Sequence, residues 1–267
     1  MSGNELRGFS GEVAEFYSRF RRGYPPAVFD ALTEAFGLDA SDVVVDLGCG
    51  TGQLTLPLAA RVRTAIGVDP EPDMLELAAE AAHLQGVGNV SWMQGFDSDL
   101  AAIAAQIEDG PIAAVTAATA IHWMDHGALF ATARRIVRDG GGVAVVTNGA
   151  PLWLQDSDWS RTLRSVLEEW TGRPLVSSCG TDADARSGYR RAMETAGHTT
   201  RDIVVEYDAM LEMEALVGSL FSAMSNVDVA DPVRRRSFES RVRAALAPRT
   251  NVEEHVCVSV LTGTVRR

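Results

Sequence analysis

The chain has 267 residues, with 36 acidic side chains against 24 basic ones and a formal net charge of −12 at pH 7. That length suits one α/β domain with an insertion or a small cap, and the acidity repels phosphate backbones, so no nucleic-acid partner is expected. Every basic residue is arginine, which excludes a Schiff-base lysine, a pyridoxal-phosphate anchor and a P-loop lysine.

Val13, Phe16, Tyr17 and Phe20 recur at helical spacing, so Gly11 to Arg22 reads as an amphipathic helix. Gly23-Tyr24-Pro25-Pro26 breaks it, and a second helix runs from Pro26 to Phe36 and stops at Gly37. A strict alternation follows. Strands are expected at Val43 to Val45, Thr64 to Val68, Asn89 to Met93, Ile112 to Ala117 and Gly142 to Thr147. Helices are expected at Gln53 to Ala60, Asp73 to His83, Leu100 to Ile107 and His126 to Val137. Strand–helix alternation with short glycine-rich connections predicts a Rossmann-like, doubly wound, mostly parallel α/β sheet.

After Gly149 the rhythm changes. Residues 150–200 carry two helical stretches and no clear strand, and read as a helical insertion or cap. A strand is expected at Asp202 to Met210, helices at Met213 to Met224 and Pro232 to Leu246, and an alternating last strand at Glu253 to Val265. The last strand and its neighbour predict an antiparallel pair on one sheet edge. The expected organisation is therefore a lid and core in residues 1–149, the insertion in 150–200, and strands and helices completing the sheet in 201–267.

Cys49, Cys179 and Cys257 are odd in number and widely spaced, which argues against a disulfide framework and offers no metal signature. A reducing, cytoplasmic location is expected. Met1 to Gly11 has no apolar leader core, and no apolar run reaches the ~18 residues of a membrane span.

The most informative segment joins the first strand to its helix: Val45-Asp46-Leu47-Gly48-Cys49-Gly50-Thr51-Gly52-Gln53. Its glycines permit a tight turn and a close ligand approach to the backbone. A dinucleotide site usually reads GxGxxG; here Gly48, Gly50 and Gly52 alternate, and Gln53 and Asp46 speak against a nicotinamide cofactor. An acid at Asp46 suits a cationic portion such as an amino-acid ammonium. Asp69 ends the second strand, where an acid can accept hydrogen bonds from both ribose hydroxyls. An adenosine joined to an amino-acid tail, as in S-adenosylmethionine, meets both requirements.

These residues resemble class I S-adenosylmethionine-dependent methyltransferases of the small-molecule kind. Val45 to Gly52 resembles the family's first motif, and Gly67-Val68-Asp69-Pro70 with Met74-Leu75 its second. Ala118 to Trp123 resembles the motif after the fourth strand, and Tyr17 to Pro25 the N-terminal lid, with Arg22 standing where proline is usual. The likeness covers about Phe9 to Thr147. It implies that Asp46 and the backbone of Gly48, Cys49, Gly50, Gly52 and Gln53 hold the methionine part and Asp69 the ribose. Pro70 and Met74 would pack on the adenine, and Phe96 and Asp97 would lie at its edge, with Asp97, Ser98 or a backbone group taking N6. Tyr17 and Arg21 would close over the cofactor, Arg21 reaching its carboxylate, and Thr119 would complete the site.

His122, beyond a strand's C-terminal end, is either a general base or a structural helix-start residue. Trp123 is either pocket wall or packing. Trp153, Trp159 and Trp170 either form the cap's own core or line a substrate pocket, for which Trp153 is the candidate. Arg19 and Arg22 read as solvated, Cys49 as a backbone position, His83 as solvent-facing, His126 as a helix start, and His198 and His255 as having no partner visible in the sequence. The expected function is methyl transfer to an O, N or C nucleophile of a small molecule, possible in secondary metabolism, with no metal and no membrane partner. The alternatives are another chemistry on the same fold, such as a cyclisation, and a nicotinamide-dependent oxidoreductase.

Overall fold

The structure, a computed structural model, describes residues 8–176, 179–224 and 231–266. The stretch before residue 8, most of the segment searched for a leader, lies outside them. No described helix is long and apolar enough to cross a membrane.

Seven strands form one sheet in the order β3-β2-β1-β4-β5-β7-β6. They are β1 (Val43–Leu47), β2 (Thr64–Asp69), β3 (Val90–Gln94), β4 (Ile112–Ala118), β5 (Gly142–Asn148), β6 (Thr199–Glu212) and β7 (Asn251–Thr264). The first five are parallel to one another, and β7 runs antiparallel to both β5 and β6. This is the Rossmann-like sheet expected, with its antiparallel last strand. The burial of all five residues of β1 follows from its central place, with helices covering both faces.

Ten helices decorate it: α1 (Glu12–Phe20), α2 (Pro26–Phe36), α3 (Thr55–Ala59), α4 (Pro72–Gln85), α5 (Leu100–Ala104), α6 (His126–Ile136), α7 (Asp158–Thr171), α8 (Ala183–Thr195), α9 (Met213–Phe221) and α10 (Pro232–Leu246), as named among the described residues. Their ends follow local chemistry. Pro26 opens α2, where its missing N–H costs no hydrogen bond, and Gly37 closes it at φ +57°. Asp125, Ser157 and Asp182 cap α6, α7 and α8 by accepting backbone N–H groups. The helix expected at Gln53 to Ala60 is shorter, because Gly52 and its neighbours belong to the turn.

Three apolar clusters hold the layers. One face of the sheet packs Val45, Val115 and Val143 against Phe130 of α6 and Met193 of α8. The other packs Val44, Ala114 and Val258 against Leu32 and Phe36 of α2. The third gathers around Val252 at the start of β7 and joins Val13 of α1 to Trp159 and Leu163 of α7, Leu216 and Phe221 of α9, and Phe238 and Val242 of α10. The two helices of 150–200 thus part company: α7 sits in this third cluster, while α8 lies against the sheet. Full burial of each such side chain contributes ~1.5–3 kcal/mol.

β1 sits between β2 and β4, so the chain leaves it in opposite directions on either side. That reversal opens a crevice at the C-terminal ends of these strands. The β6–β7 ribbon extends further: β5 ends with Asn148 opposite Val258, whereas β7 begins at Asn251. Seven residues of β7 and their partners in β6 therefore stand above the crevice as a two-stranded wall.

Candidate functional site

The loop after β1 carries Gly48, Gly50 and Gly52 at φ +65°, +54° and +86°. Only glycine adopts these angles without cost. The loop is also closely packed. A Cβ on Gly48 would lie 2.4 Å from the Cβ of Ala120, and the Gly67 position, in β2 beneath the loop, lies against the ring of Trp92 and the sulfur of Cys49. Trp92 is the floor under the turn, and it meets Gly67 only through the β2–β3 register, which no local sequence pattern announces.

Two carboxylates serve this loop from different places. Asp46 is buried beneath it, with one oxygen accepting from Thr55 Oγ1 at 2.6 Å and the other from Thr116 Oγ1 at 2.7 Å. Burial pushes its pKa up to about 6 despite those two hydroxyls. Asp69 lies at the tip of β2, one oxygen accepting the Gly50 N–H at 2.9 Å and the other the Glu71 N–H at 3.0 Å. Its pKa is also raised by burial, against those amides. Each Asp69 oxygen keeps a further lone pair for a ligand hydroxyl.

Helix α1 lies over the loop. The ring of Tyr17 comes within 3.4 Å of where a Gly50 Cβ would sit, and burial raises its phenol pKa. The Arg21 guanidinium stands 5.2 Å from that ring and donates from Nε to Ser222 Oγ at 2.8 Å. Gly11 N–H bonds the Asp73 carboxylate, and Ser219 Oγ bonds the Phe20 carbonyl, so α1 is latched at both ends. Gln53 bonds Thr51 within the loop.

Beyond β4, Thr119 holds φ +55°, a strained conformation for a β-branched residue that costs ~1–3 kcal/mol. Its hydroxyl meets the Tyr24 phenol at 3.1 Å. Burial raises the Tyr24 pKa, with Tyr17 adding to the shift. In the sequence Tyr24 is marked only by its place in the Tyr17 to Pro25 stretch. His122 and half-exposed Trp123 follow with ring centroids 4.7 Å apart. Asp97 accepts the Asp125 N–H, and Asp99 the Phe96 N–H, which ties the turn after β3 to the one after β4. Pro70 is half-buried at the tip of β2 and Met74 is buried in α4. Trp159 donates to the Glu253 carbonyl and Trp170 stacks edge-on to Phe238, both in the third cluster, against which Trp153 also packs.

Residues 44–141 match a methyltransferase domain family. An uncharacterized methyltransferase of Mycobacterium tuberculosis is 29% identical over 237 residues, which cover 89% of this chain and 85% of that protein. An uncharacterized methyltransferase-like protein of Schizosaccharomyces pombe is 28% identical over 145 residues, 54% of this chain and 52% of that one. Among solved structures, a chain of Anaeromyxobacter dehalogenans assigned as a type II methyltransferase superposes with a TM-score of 0.62 at 22% identity, covering 92% of this chain and 99% of that chain.

The chain is similar to methyltransferases, in sequence across β1 to the turn before β5 and in fold over most of its length.

The YcgJ protein of Bacillus subtilis shares the same fold at a TM-score of 0.55 and 17% identity, over 90% of this chain and 99% of that chain. Several side chains find partners that the sequence does not show. Arg22 is not simply solvated: its guanidinium pairs at 2.5 Å with Glu254, whose side chain is 1% exposed and also accepts from Gln155. An unpaired carboxylate there would be costly. His198, without a visible partner in the sequence, is buried between the carbonyls of Gly263 and Phe130. His255 bonds the Asp208 carboxylate across the β6–β7 ribbon. His126 does start a helix, and its ring also meets the Ile121 carbonyl.

Proposed function

We propose that this protein transfers the methyl group of S-adenosylmethionine to an O, N or C nucleophile of a small molecule. One observation carries the reading. A loop of bare backbone is bound at Gly50 to a ribose-competent carboxylate, Asp69, and covered by Tyr17 with the Arg21 cation beside it. This set offers acceptors for hydroxyls at one end and a guanidinium for a carboxylate at the other, which fits an adenosine joined to an amino acid.

In this proposal Asp69 takes the ribose hydroxyls, and the backbone of Gly48 to Gly52 with Gln53 takes the methionine part. Asp46 acts from beneath, fixing the loop through Thr55 and Thr116 and adding negative charge near the ammonium. Arg21 faces the carboxylate. Pro70 and Met74 flank the adenine, with Phe96 and Asp97 at its edge and Thr119 beside the sulfur end. The cofactor supplies an activated methyl electrophile. The chain then aligns the acceptor, excludes water with α1, and lets His122 take the acceptor's proton where one must leave. Alignment alone can contribute ~7–11 kcal/mol. Trp123 and Trp153 are proposed to wall the acceptor side.

Calorimetry with S-adenosylmethionine and S-adenosylhomocysteine tests the cofactor, and absence of heat with both rejects the reading. Incubation with labelled methyl donor and a metabolite panel then tests transfer. Tight binding without any labelled product would favour a different chemistry on the same fold, such as a cyclisation.

A further inference from the structure

The ribbon above the crevice carries a side-chain cluster that the methyl-transfer reading does not use. In the β6–β7 register Glu206 lies opposite Cys257, and Asp208 lies opposite His255. Side chains two apart on a strand share a face, so these four form a square block on one side of the ribbon. Its neighbours Val252, Glu254 and Val256 point the other way and are buried, whereas His255 and Cys257 are exposed. One ligand atom from each of Glu206, His255 and Cys257 lies within 4.8 Å of the others. Asp208 accepts from His255 Nδ1 at 2.7 Å, and the Cys257 thiol donates to Glu206 Oε1 at 3.4 Å.

We propose that Glu206, His255 and Cys257 form a surface site for a divalent transition-metal ion of the zinc type, with Asp208 orienting the imidazole. The donor set is the ground for that class of ion. A thiolate, an imidazole and a carboxylate together match zinc and its spectroscopic substitute cobalt, while magnesium and calcium prefer all-oxygen shells. Ligand bonds of ~2.0–2.3 Å in a tetrahedron place ligand atoms ~3.3–3.8 Å apart, so small side-chain rotations from the present spacing close the site. A carboxylate on the far nitrogen of a ligating histidine is the usual second support of such centres. Three protein ligands leave a fourth position for water or a small ligand. Cysteine spacing in the sequence offered no metal signature, because the ligands come from two strands about fifty residues apart and meet only through register.

The experiment is a cobalt(II) titration of the untagged full-length protein, kept reduced with a phosphine, followed by absorbance. One equivalent is expected to produce a thiolate-to-cobalt charge-transfer band with tetrahedral visible bands, and zinc is expected to displace it. Cys257→Ser should abolish the charge-transfer band, and His255→Ala should weaken binding at least tenfold. Cys179→Ser, which changes the other exposed thiol, should leave both unchanged. Absence of the band at stoichiometric cobalt, or its survival in Cys257→Ser, overturns the site. Circular dichroism melts of each variant separate loss of ligand from loss of fold. None of these readouts depends on the methyl donor, so failure here and failure of the proposed function are distinguishable.

Discussion

The Asp69 carboxylate at the tip of β2 accepts the backbone N–H of Gly50 at 2.9 Å, and its other oxygen accepts the Glu71 N–H. One side chain thereby holds the glycine loop of β1 in shape and presents an acceptor to whatever the loop binds. Replacing Asp69 with Ala removes both services. Each charge-assisted hydrogen bond is worth ~1.5–3 kcal/mol, so affinity for S-adenosylhomocysteine is expected to fall roughly 10- to 100-fold by calorimetry. Undiminished affinity would remove Asp69 from the cofactor site.

Asp46 predicts a pH effect on stability. Its ordinary pKa of 3.8 rises to about 6 in the folded chain, chiefly through burial. Between these values the folded state holds a proton that the unfolded state has released. This group therefore destabilises the fold above pH 6, and the penalty is relieved as pH falls towards 4. A shift of about two units at 1.36 kcal/mol each corresponds to ~3 kcal/mol. Asp46→Asn keeps the shape and can still bond Thr55 and Thr116. Urea melts of both proteins from pH 4 to 7.5 should show a stability difference in favour of the variant that grows with pH. A constant difference would contradict the burial argument. Asp69, shifted in the same direction, is common to both proteins and cancels.

Arg22 and Glu254 tie the segment after α1 to β7 across 232 residues of sequence. Removing the guanidinium leaves a buried carboxylate with Gln155 as its remaining bonded partner. Arg22→Ala should cost ~2–4 kcal/mol, somewhat below the range for fully buried pairs because Arg22 is partly exposed. Adding Glu254→Gln to that variant should recover part of the loss in a urea double-mutant cycle. If the two effects simply add, the pair is not coupled.

Gly67 is the seat of the Trp92 ring. An alanine Cβ there would lie 2.4 Å from the indole and 2.9 Å from Cys49 Sγ. Gly67→Ala should destabilise by ~1–3 kcal/mol through overpacking. Combining it with Trp92→Leu should be less damaging than the sum of the two single changes. Strict additivity in thermal melts would show that the ring does not rest on this glycine.

Much of this protein was legible in its sequence because the signals are local. Pro26 and Gly37 mark the ends of α2 through their own backbone geometry, the valines of β1 announce a strand covered on both faces, and alternating glycines after Asp46 require a turn with left-handed angles. Long-range partners were not legible, because no local pattern says which side chain meets another across 70 or 232 residues. Thr116 reaches Asp46, Arg22 finds Glu254, and α7 leaves its sequence neighbour α8 to pack with α9 and α10. The periodicity of β6 and β7 announced two strands, yet only their register set Glu206 beside Cys257 and Asp208 beside His255. Sequence determined which backbone conformations were cheap, through propensity, capping and glycine. The tertiary structure decided which charges lost water and which groups replaced it, because desolvation depends on everything packed around an atom and not on its neighbours along the chain.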